Sequence, residues 1–169
     1  AYIDPVTYAI SWSVPVGTDV TALAPTYTVN TGTGAPVSDT AHDFTSPVTY
    51  TVTDGVNTTT YTVTVTVGLD PTVTWNLSGS GVWDTNTVNW LGSASGHPVT
   101  FHNGANVVFG GTGGTVAIDP GMAPSNILVS ANAAYTFTDG PLASGSLTKT
   151  GNNWLKMQTP PDNLSSMVI

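Results

Sequence analysis

The clearest pattern along the chain is a strict alternation of apolar and polar residues between Asp43 and Val67. Valine and tyrosine occupy every second position of two runs, and threonine occupies the positions between them. A period of two places all the apolar side chains on one face of a sheet, and β-branched and aromatic residues favour extended backbone. Asp54-Gly55 separates the runs and supplies a turn, because glycine accepts a positive φ. The pattern therefore predicts an antiparallel hairpin with an apolar face and a threonine face.

The same alternation continues, less regularly, towards the N-terminus, and it assigns residues 1–67 to a first domain. Apolar residues near the start of the chain predict a first strand that Pro5 interrupts, since proline is disfavoured inside sheets. A loop rich in glycine, proline and threonine covers residues 30–39. Residues 68–71 form the predicted linker, because a proline and the loss of alternation mark a boundary there.

Residues 72–169 form the predicted second module, which is rich in glycine, asparagine and tryptophan. Its short apolar runs are separated by turn dipeptides such as Asn103-Gly104 and Asp139-Gly140. Strands at a spacing of about 8–12 residues are typical of a sandwich, a barrel or a β-solenoid. No helical period is sustained in either module. The predicted fold is therefore all-β, with a β-sandwich followed by a second Gly/Asn-rich β-sandwich or the start of a β-solenoid.

The charge of the chain excludes several classes of partner. Charged residues make up 7% of the sequence, against about 25% in ordinary globular domains. The ten acidic residues are all aspartates, the only strong cations are Lys149 and Lys156, and the formal net charge is −8. Nucleic acid and anionic membrane surfaces both need basic patches, which two lysines cannot provide. We expect no nucleic-acid partner and no membrane insertion, since no apolar run approaches the roughly 18–20 residues of a span.

The first domain resembles a known kind of bacterial module. Its motifs are GTDVT, DFTSPVTYTVT and the closing TYTVTVTV, and they cover about residues 8–67. This succession is similar to a bacterial immunoglobulin-like module that occurs in tandem on large secreted and surface proteins. The resemblance implies an immunoglobulin-like β-sandwich that serves as a spacer or adhesive repeat.

The second module carries a different resemblance, over about residues 73–158. The segments that carry it are WNLSGSGVWDTNTVNW, FHNGANVVFGGTGGTVAI and SGSLTKTGNNWLKM. They resemble the autotransporter-associated β-strand repeats of large bacterial surface proteins. The sequence departs from that pattern after LTKTG, where Asn152-Asn153-Trp154 replaces the usual Gly-Thr. The resemblance implies an extracellular or cell-surface location on a secreted bacterial protein.

Tryptophans are the candidate ligand-binding residues of the chain. Trp75, Trp83 and Trp90 follow one another at spacings of eight and seven, and Trp154 occurs later in the second module. Rings aligned on a flat β face can stack on sugar rings. Large aromatic residues also fill cores, where the indole N–H finds a backbone carbonyl. Exposure of two or more coplanar rings would favour the sugar platform, and burial would favour the core.

Residues for catalysis or metal binding form no recognisable motif. His97 and His102 are five positions apart, which is not a usual spacing for paired ligands, and His42 lies in the other domain. Most aspartates occur in turn dipeptides, where their side chains bond the local backbone. Cysteine is absent, and no nucleophile or phosphate-binding motif occurs. We expect no enzyme activity and no cofactor, with Ca²⁺ as the one metal that aspartates and carbonyls could bind.

Together these features predict a structural or adhesive segment of a bacterial extracellular surface protein. The expected partners are neighbouring modules or other copies of the chain, joined through exposed threonine-rich strand edges into a filament, because no cation guards the edges of the first domain. The alternative is a carbohydrate-binding module that holds a polysaccharide on its tryptophans.

Overall fold

The computed structural model describes residues 1–158 and 163–168. The chain divides into two units, and the first of them contains five strands. This unit covers Ala1–Gly68. Its strands form one sheet in the order β1-β2-β5-β4-β3. They are β1 (Tyr2–Ile3), β2 (Ala9–Val14), β3 (Thr33–Ala35), β4 (Val48–Thr53) and β5 (Thr58–Val67).

The predicted hairpin is confirmed as β4 and β5. These strands pair antiparallel, with Tyr50 opposite Tyr61. Gly55 takes a φ of +94°, and the Asn57 N–H donates to the Asp54 carboxylate at 3.0 Å. The Asp54-Gly55 pair therefore forms the turn of the hairpin, as predicted. The valines and tyrosines of both strands share one face of the sheet.

The threonine-rich strands do not form the edges of this sheet. β5 pairs with β4 on one side and parallel to β2 on the other, and β4 also pairs with β3. The sheet ends instead at β1 and β3, which have two and three residues. The expectation that threonine-rich edges join copies is therefore wrong for β5, which lies inside the sheet, and for the part of β4 that pairs with β3, Thr51–Thr53. Short edge strands are one way in which proteins limit edge-to-edge pairing.

Extended segments form the second layer of the first unit. The buried centre of the unit consists of Phe44 together with Tyr50 and Val63 of the sheet. Side chains from the segment around Leu23 pack against them, and a single antiparallel bridge joins Leu23 to His42. The all-β prediction is confirmed, and the second layer is a pair of bridged segments that cover part of the apolar face.

Two sheets of mainly parallel strands form the second unit, Leu69–Ile169. The predicted end of the second module, Ile169, lies outside the described residues. The seven-stranded sheet contains β6 (Thr72–Trp75), β8 (Trp90–Gly92), β9 (Pro98–Val99), β10 (Asn106–Phe109), β12 (Asn126–Val129), β14 (Ser146–Lys149) and β16 (Ser166–Val168). The four-stranded sheet contains β7 (Gly81–Trp83), β11 (Gly114–Ile118), β13 (Tyr135–Asp139) and β15 (Leu155–Met157).

The register of the parallel strands identifies this unit as a β-solenoid. Val107, Ile127, Leu147 and Met167 are partners along the larger sheet, each 20 residues after the previous one. Strands of the smaller sheet alternate with them along the chain and also pair in parallel. Each coil of about 20 residues thus adds one strand to each sheet, whereas β-sandwiches are built from antiparallel strands. Of the two predicted folds for the second module, the structure forms the solenoid.

Aromatic rings fill the first coils of the solenoid. Phe109 is fully buried, and its centroid lies 4.9 Å from that of Phe137 and 5.3 Å from that of Tyr135. It also contacts Trp75, Trp83 and Trp90. Such ring pairs add to the large apolar area that aromatic residues bury. Phe109 therefore joins strands of both sheets through one side chain.

No helix among the described residues has the length and apolarity needed to cross a membrane.

Replacing Phe109 with alanine should destabilise the second unit by about 3–5 kcal/mol, because a buried ring is exchanged for a cavity. Urea unfolding followed by tryptophan fluorescence would measure the loss. Trp154→Ala is the matched control, since that side chain is largely exposed, and its effect should stay within about 0.5 kcal/mol. Equal effects of the two substitutions would contradict this description of the core.

Candidate functional site

The structure places three of the four candidate tryptophans in the solenoid core. Trp83 and Trp90 are 0% exposed, and Trp75 is 5% exposed. Their rings meet edge to face, with interplanar angles of 81° for Trp75 and Trp90 and 68° for Trp83 and Trp90. A sugar platform needs open and coplanar rings, so the prediction of such a platform is wrong for these residues. They pack as core residues because the coil interior needs large apolar side chains.

Trp154 is the exception among the four, with 57% of its side chain exposed. It follows the turn after β14, where its backbone N–H donates to the Asn153 side chain at 2.9 Å and its carbonyl accepts from the Tyr135 N–H. With the other three tryptophans buried, Trp154 cannot complete a platform with them.

A different group of aromatic residues lines a cavity of about 610 Å³ in the first unit. We call this cavity the aromatic groove. It lies on the apolar face of the sheet, between strands β2, β4 and β5 and the segment 25–30. Its volume falls within the roughly 300–1,000 Å³ of small-molecule sites. The large apolar residues of its lining are Ile3, Ile10, Trp12, Tyr27, Val29, Tyr50, Val52, Tyr61 and Val63.

Alternation along the strands explains why these rings share one cavity. Tyr50 and Tyr61 are opposite each other on β4 and β5. The parallel pairing of β2 with β5 places Trp12 opposite Val65, on the same face. The covering segments pack over only part of this face, and the remainder forms the floor of the aromatic groove.

Hydrogen bonds fix Tyr27 at the wall of the aromatic groove. Its hydroxyl donates to the Pro36 carbonyl, and its backbone N–H donates to the Ser38 hydroxyl at 2.9 Å. Its ring meets that of Tyr50 edge to face, with centroids 5.6 Å apart and an interplanar angle of 88°. The wall is therefore held in position before any ligand arrives.

The other two rings of the lining are also supported from outside it. Tyr8 packs edge to face against Tyr61 with centroids 5.5 Å apart, and Phe44 does the same against Trp12 at 6.1 Å. Contacts of this kind lock the ring orientations. Preorganised rings reduce the entropy that binding would otherwise cost.

Polar groups occur at the rim of the aromatic groove and within it. Thr26, Thr28 and Asn30 are exposed members of the lining. Burial raises the pKa of the Tyr50 hydroxyl, and the neighbouring Tyr27 adds to the effect. That hydroxyl therefore stays protonated and can act as a donor. The aromatic groove thus offers ring faces, hydroxyls and an amide, a combination suited to binding an uncharged polar ligand.

Comparison with known protein families gives one match, and it falls on this unit. The family model described as "SGBP, N-terminal", the N-terminal domain of surface glycan-binding proteins, matches residues 1–65. These residues contain the whole lining of the aromatic groove. The match covers less than half of the chain, so the similarity applies to the first unit only.

Neither the curated proteins nor the solved structures contain a match to this chain. The family match agrees with a bacterial surface module in general terms. The resemblances to immunoglobulin-like modules and to autotransporter-associated repeats stay predictions.

The ring of His102, in the second unit, bonds to backbone groups. His102 Nε2 lies 2.7 Å from the Asp70 carbonyl oxygen, and Nδ1 lies 3.1 Å from the Asn103 carbonyl oxygen. Both ring nitrogens therefore face protein acceptors. Within residues 1–158 and 163–168, no three His, Cys, Asp or Glu side chains come together as a metal site would require. Calcium binding stays a prediction that no contact in this part of the chain supports.

Asp70, placed in the predicted linker, lies buried at the start of the solenoid. Its carboxylate accepts hydrogen bonds from the Ala94 N–H at 2.7 Å and the Ser95 N–H at 3.2 Å. Burial acts to raise the pKa of this carboxyl, but hydrogen bonds from Ser95 and Ala94 and the nearby His102 hold it below its usual range. Asp70 thus fastens the loop after β8 to the first strand of the solenoid.

The depressed pKa of Asp70 makes the stability of the second unit depend on pH. A carboxyl whose pKa is lower in the folded than in the unfolded state stabilises the fold above the unfolded value of about 3.9. That contribution is lost as the pH falls through the folded value. We expect the free energy of unfolding to decrease as the pH falls below about 4. The Asp70→Asn substitution should make this decrease less steep. Urea unfolding at a series of pH values measures both slopes, and identical slopes would contradict the assignment.

Proposed function

We propose that the first unit binds glycan in the aromatic groove, and that the chain is a glycan-binding segment of a bacterial cell-surface or extracellular protein. The observation that carries this proposal is the position of the aromatic groove. Its preorganised tyrosine and tryptophan rings lie within the residues that resemble a surface glycan-binding domain. This assigns carbohydrate binding to the first unit, and not to the buried tryptophans of the second.

The chemistry of the lining supports this ligand class. Sugar rings carry apolar C–H faces and polar hydroxyl edges. Trp12 and Tyr61 provide apolar ring surface for the faces, while Thr28 and Asn30 provide hydrogen-bonding groups at the rim. Small-molecule sites typically combine aromatic walls with a few polar groups that fix orientation.

The same lining favours binding over catalysis. Glycoside hydrolysis ordinarily uses two carboxyl groups on either side of the scissile bond. Residues 1–68 are all described, and neither aspartate nor histidine contributes to the lining. The aromatic groove therefore lacks the carboxyl pair that glycoside hydrolysis uses.

A structural role of the second unit is a second candidate, and the stacked coils favour it. Backbone pairing between successive 20-residue coils and one continuous hydrophobic core hold the coils together. Side chains also bond between coils, with the Asn126 amide donating to the Asn106 side chain at 2.8 Å. A solenoid of this kind suits a spacer in a surface protein.

Glycan binding is tested first with the full chain and a panel of polysaccharides, by retention on insoluble polymers and by affinity electrophoresis in soluble ones. We expect at least one polymer to retain the chain. Trp12→Ala and Tyr61→Ala should each weaken binding by about 2 kcal/mol, roughly 30-fold, because buried aromatic anchors dominate binding energy. Thr28→Trp should also block binding, since it fills the aromatic groove without removing a core contact.

Two matched variants control for the loss of an exposed aromatic residue elsewhere. Tyr2 is exposed on the edge strand β1 and does not line the aromatic groove, and Trp154 is exposed on the second unit. Alanine at either position should leave binding unchanged. Loss of binding in Trp154→Ala alone, or no retention on any polymer, would overturn the proposal.

Self-association is the remaining expectation, and within the described residues the edge strand β16 is its natural route. β16 pairs with β14 on one side only, and its residue Met167 is exposed. Light scattering should then show a mass that rises with concentration, and Met167→Lys should lower that mass, because an edge lysine opposes strand pairing. A monodisperse monomer at high concentration would contradict this expectation.

A further inference from the structure

We propose that the aromatic groove accepts uncharged glycans and excludes polyanionic ones, such as polymers of uronic acids or sulfated sugars. The inference rests on the glycan binding proposed above and specifies its ligand class. It comes from the charges of the first unit, which are independent of the rings that carry the proposed binding.

No side chain that lines the aromatic groove carries a positive charge. These side chains are aliphatic, aromatic, hydroxyl or amide, and none is a lysine, arginine or histidine. A carboxylate or sulfate that entered would lose part of its hydration without gaining an oppositely charged side chain. Burial of an unpaired ion is among the costliest steps in binding. A neutral hydroxyl at the same place would replace its hydrogen bonds to water with hydrogen bonds to tyrosine, threonine or asparagine side chains.

The charged side chains of the first unit as a whole are all negative, apart from one histidine. Residues 1–68 contain five aspartates, one histidine and neither lysine nor arginine. Those aspartates are Asp4, Asp19, Asp39, Asp43 and Asp54. Because both lysines of the chain belong to the second unit, every full charge on side chains of the first unit near neutral pH is negative.

Local backbone contacts keep most of these aspartates ionised. Four of them accept an N–H two or three residues further on, at 2.8 to 3.0 Å. The N–H groups belong to Val6, Thr21, Thr45 and Asn57. For Asp4, Asp43 and Asp54 these backbone hydrogen bonds are the largest cause that holds the pKa below its usual range. For Asp19 the largest cause is a hydrogen bond from the Thr21 hydroxyl, and the backbone N–H adds to it. The negative field therefore persists into mildly acidic solution.

Both effects act against an anionic chain that lies along this unit. Like charges placed together in an interface cost binding free energy, and exposed charges act over about 8 Å at physiological ionic strength. Discrimination between neutral and anionic glycans should therefore be strongest in low salt and should decrease as salt is added.

The test uses one polysaccharide in two forms. A neutral polymer that retains the full chain is oxidised at its primary alcohols to carboxylates, which keeps the backbone and adds charge. We expect affinity electrophoresis at low salt to show binding about tenfold weaker or worse for the oxidised form, with a smaller gap at high salt. Equal or tighter binding to the oxidised form would overturn this inference and leave the proposed function standing. Failure of every neutral polymer would instead overturn the proposed function.

A pair of lysine variants separates the local effect from net charge. Thr28→Lys adds a cation at the rim of the aromatic groove, and Thr64→Lys adds the same charge to the threonine face of the sheet, since Thr64 is exposed beside the inward-facing Val63 and Val65. Only the variant at residue 28 should gain binding to the oxidised polymer, by about tenfold. Asn30→Lys repeats the test if that variant folds poorly. Equal gains at both sites, or no gain at the rim, would overturn the assignment to the aromatic groove.

Discussion

A sheet with one apolar face needs a second layer to cover that face. In the first unit the segments that form this layer are too short to cover the whole face. Five strands place Ile10, Tyr50 and Val63 on one face, while two bridged segments around Leu23 and His42 cover only part of it. The uncovered part is lined by rings that their neighbours hold edge to face. Incomplete coverage thus leaves a preorganised apolar groove, and the hydrophobic effect that folds the unit is also the one that would hold the apolar faces of the proposed ligand.

Alternation along the chain predicted the hairpin and its turn because both are local. Period-two patterning fixes which residues share a face, and Asp54-Gly55 fixes where the chain reverses. It could not show that β5 pairs in parallel with β2, which brings Trp12 to the face that Tyr61 occupies. That pairing joins residues about fifty positions apart, and no local signal specifies it. The aromatic groove was missed because its members belong to separate strands and because coverage of a face is a property of the fold.

Three of the four candidate tryptophans proved to be core residues for a physical reason. An indole ring is equally suited to a core and to a sugar platform, so sequence spacing alone could not choose between them. In the second unit Trp83 and Trp90 lie completely buried in the first coil, between the paired residues Val73 and Val107. The solenoid itself was one of two predicted folds, since turn spacing indicates short strands but does not distinguish parallel from antiparallel pairing. Once the coil period is seen, a core role for these rings and a rigid scaffold for the unit follow together.

The central claim is that ligand contacts lie in the aromatic groove of the first unit. Backbone chemical-shift mapping of the full chain, titrated with an oligosaccharide of the polymer that retains it, tests this most directly. We expect saturable shifts at residues 25–30 and on strands β2, β4 and β5, with the solenoid unchanged. Shifts centred on Trp154 or on another part of the second unit, with the first unit silent, would contradict it.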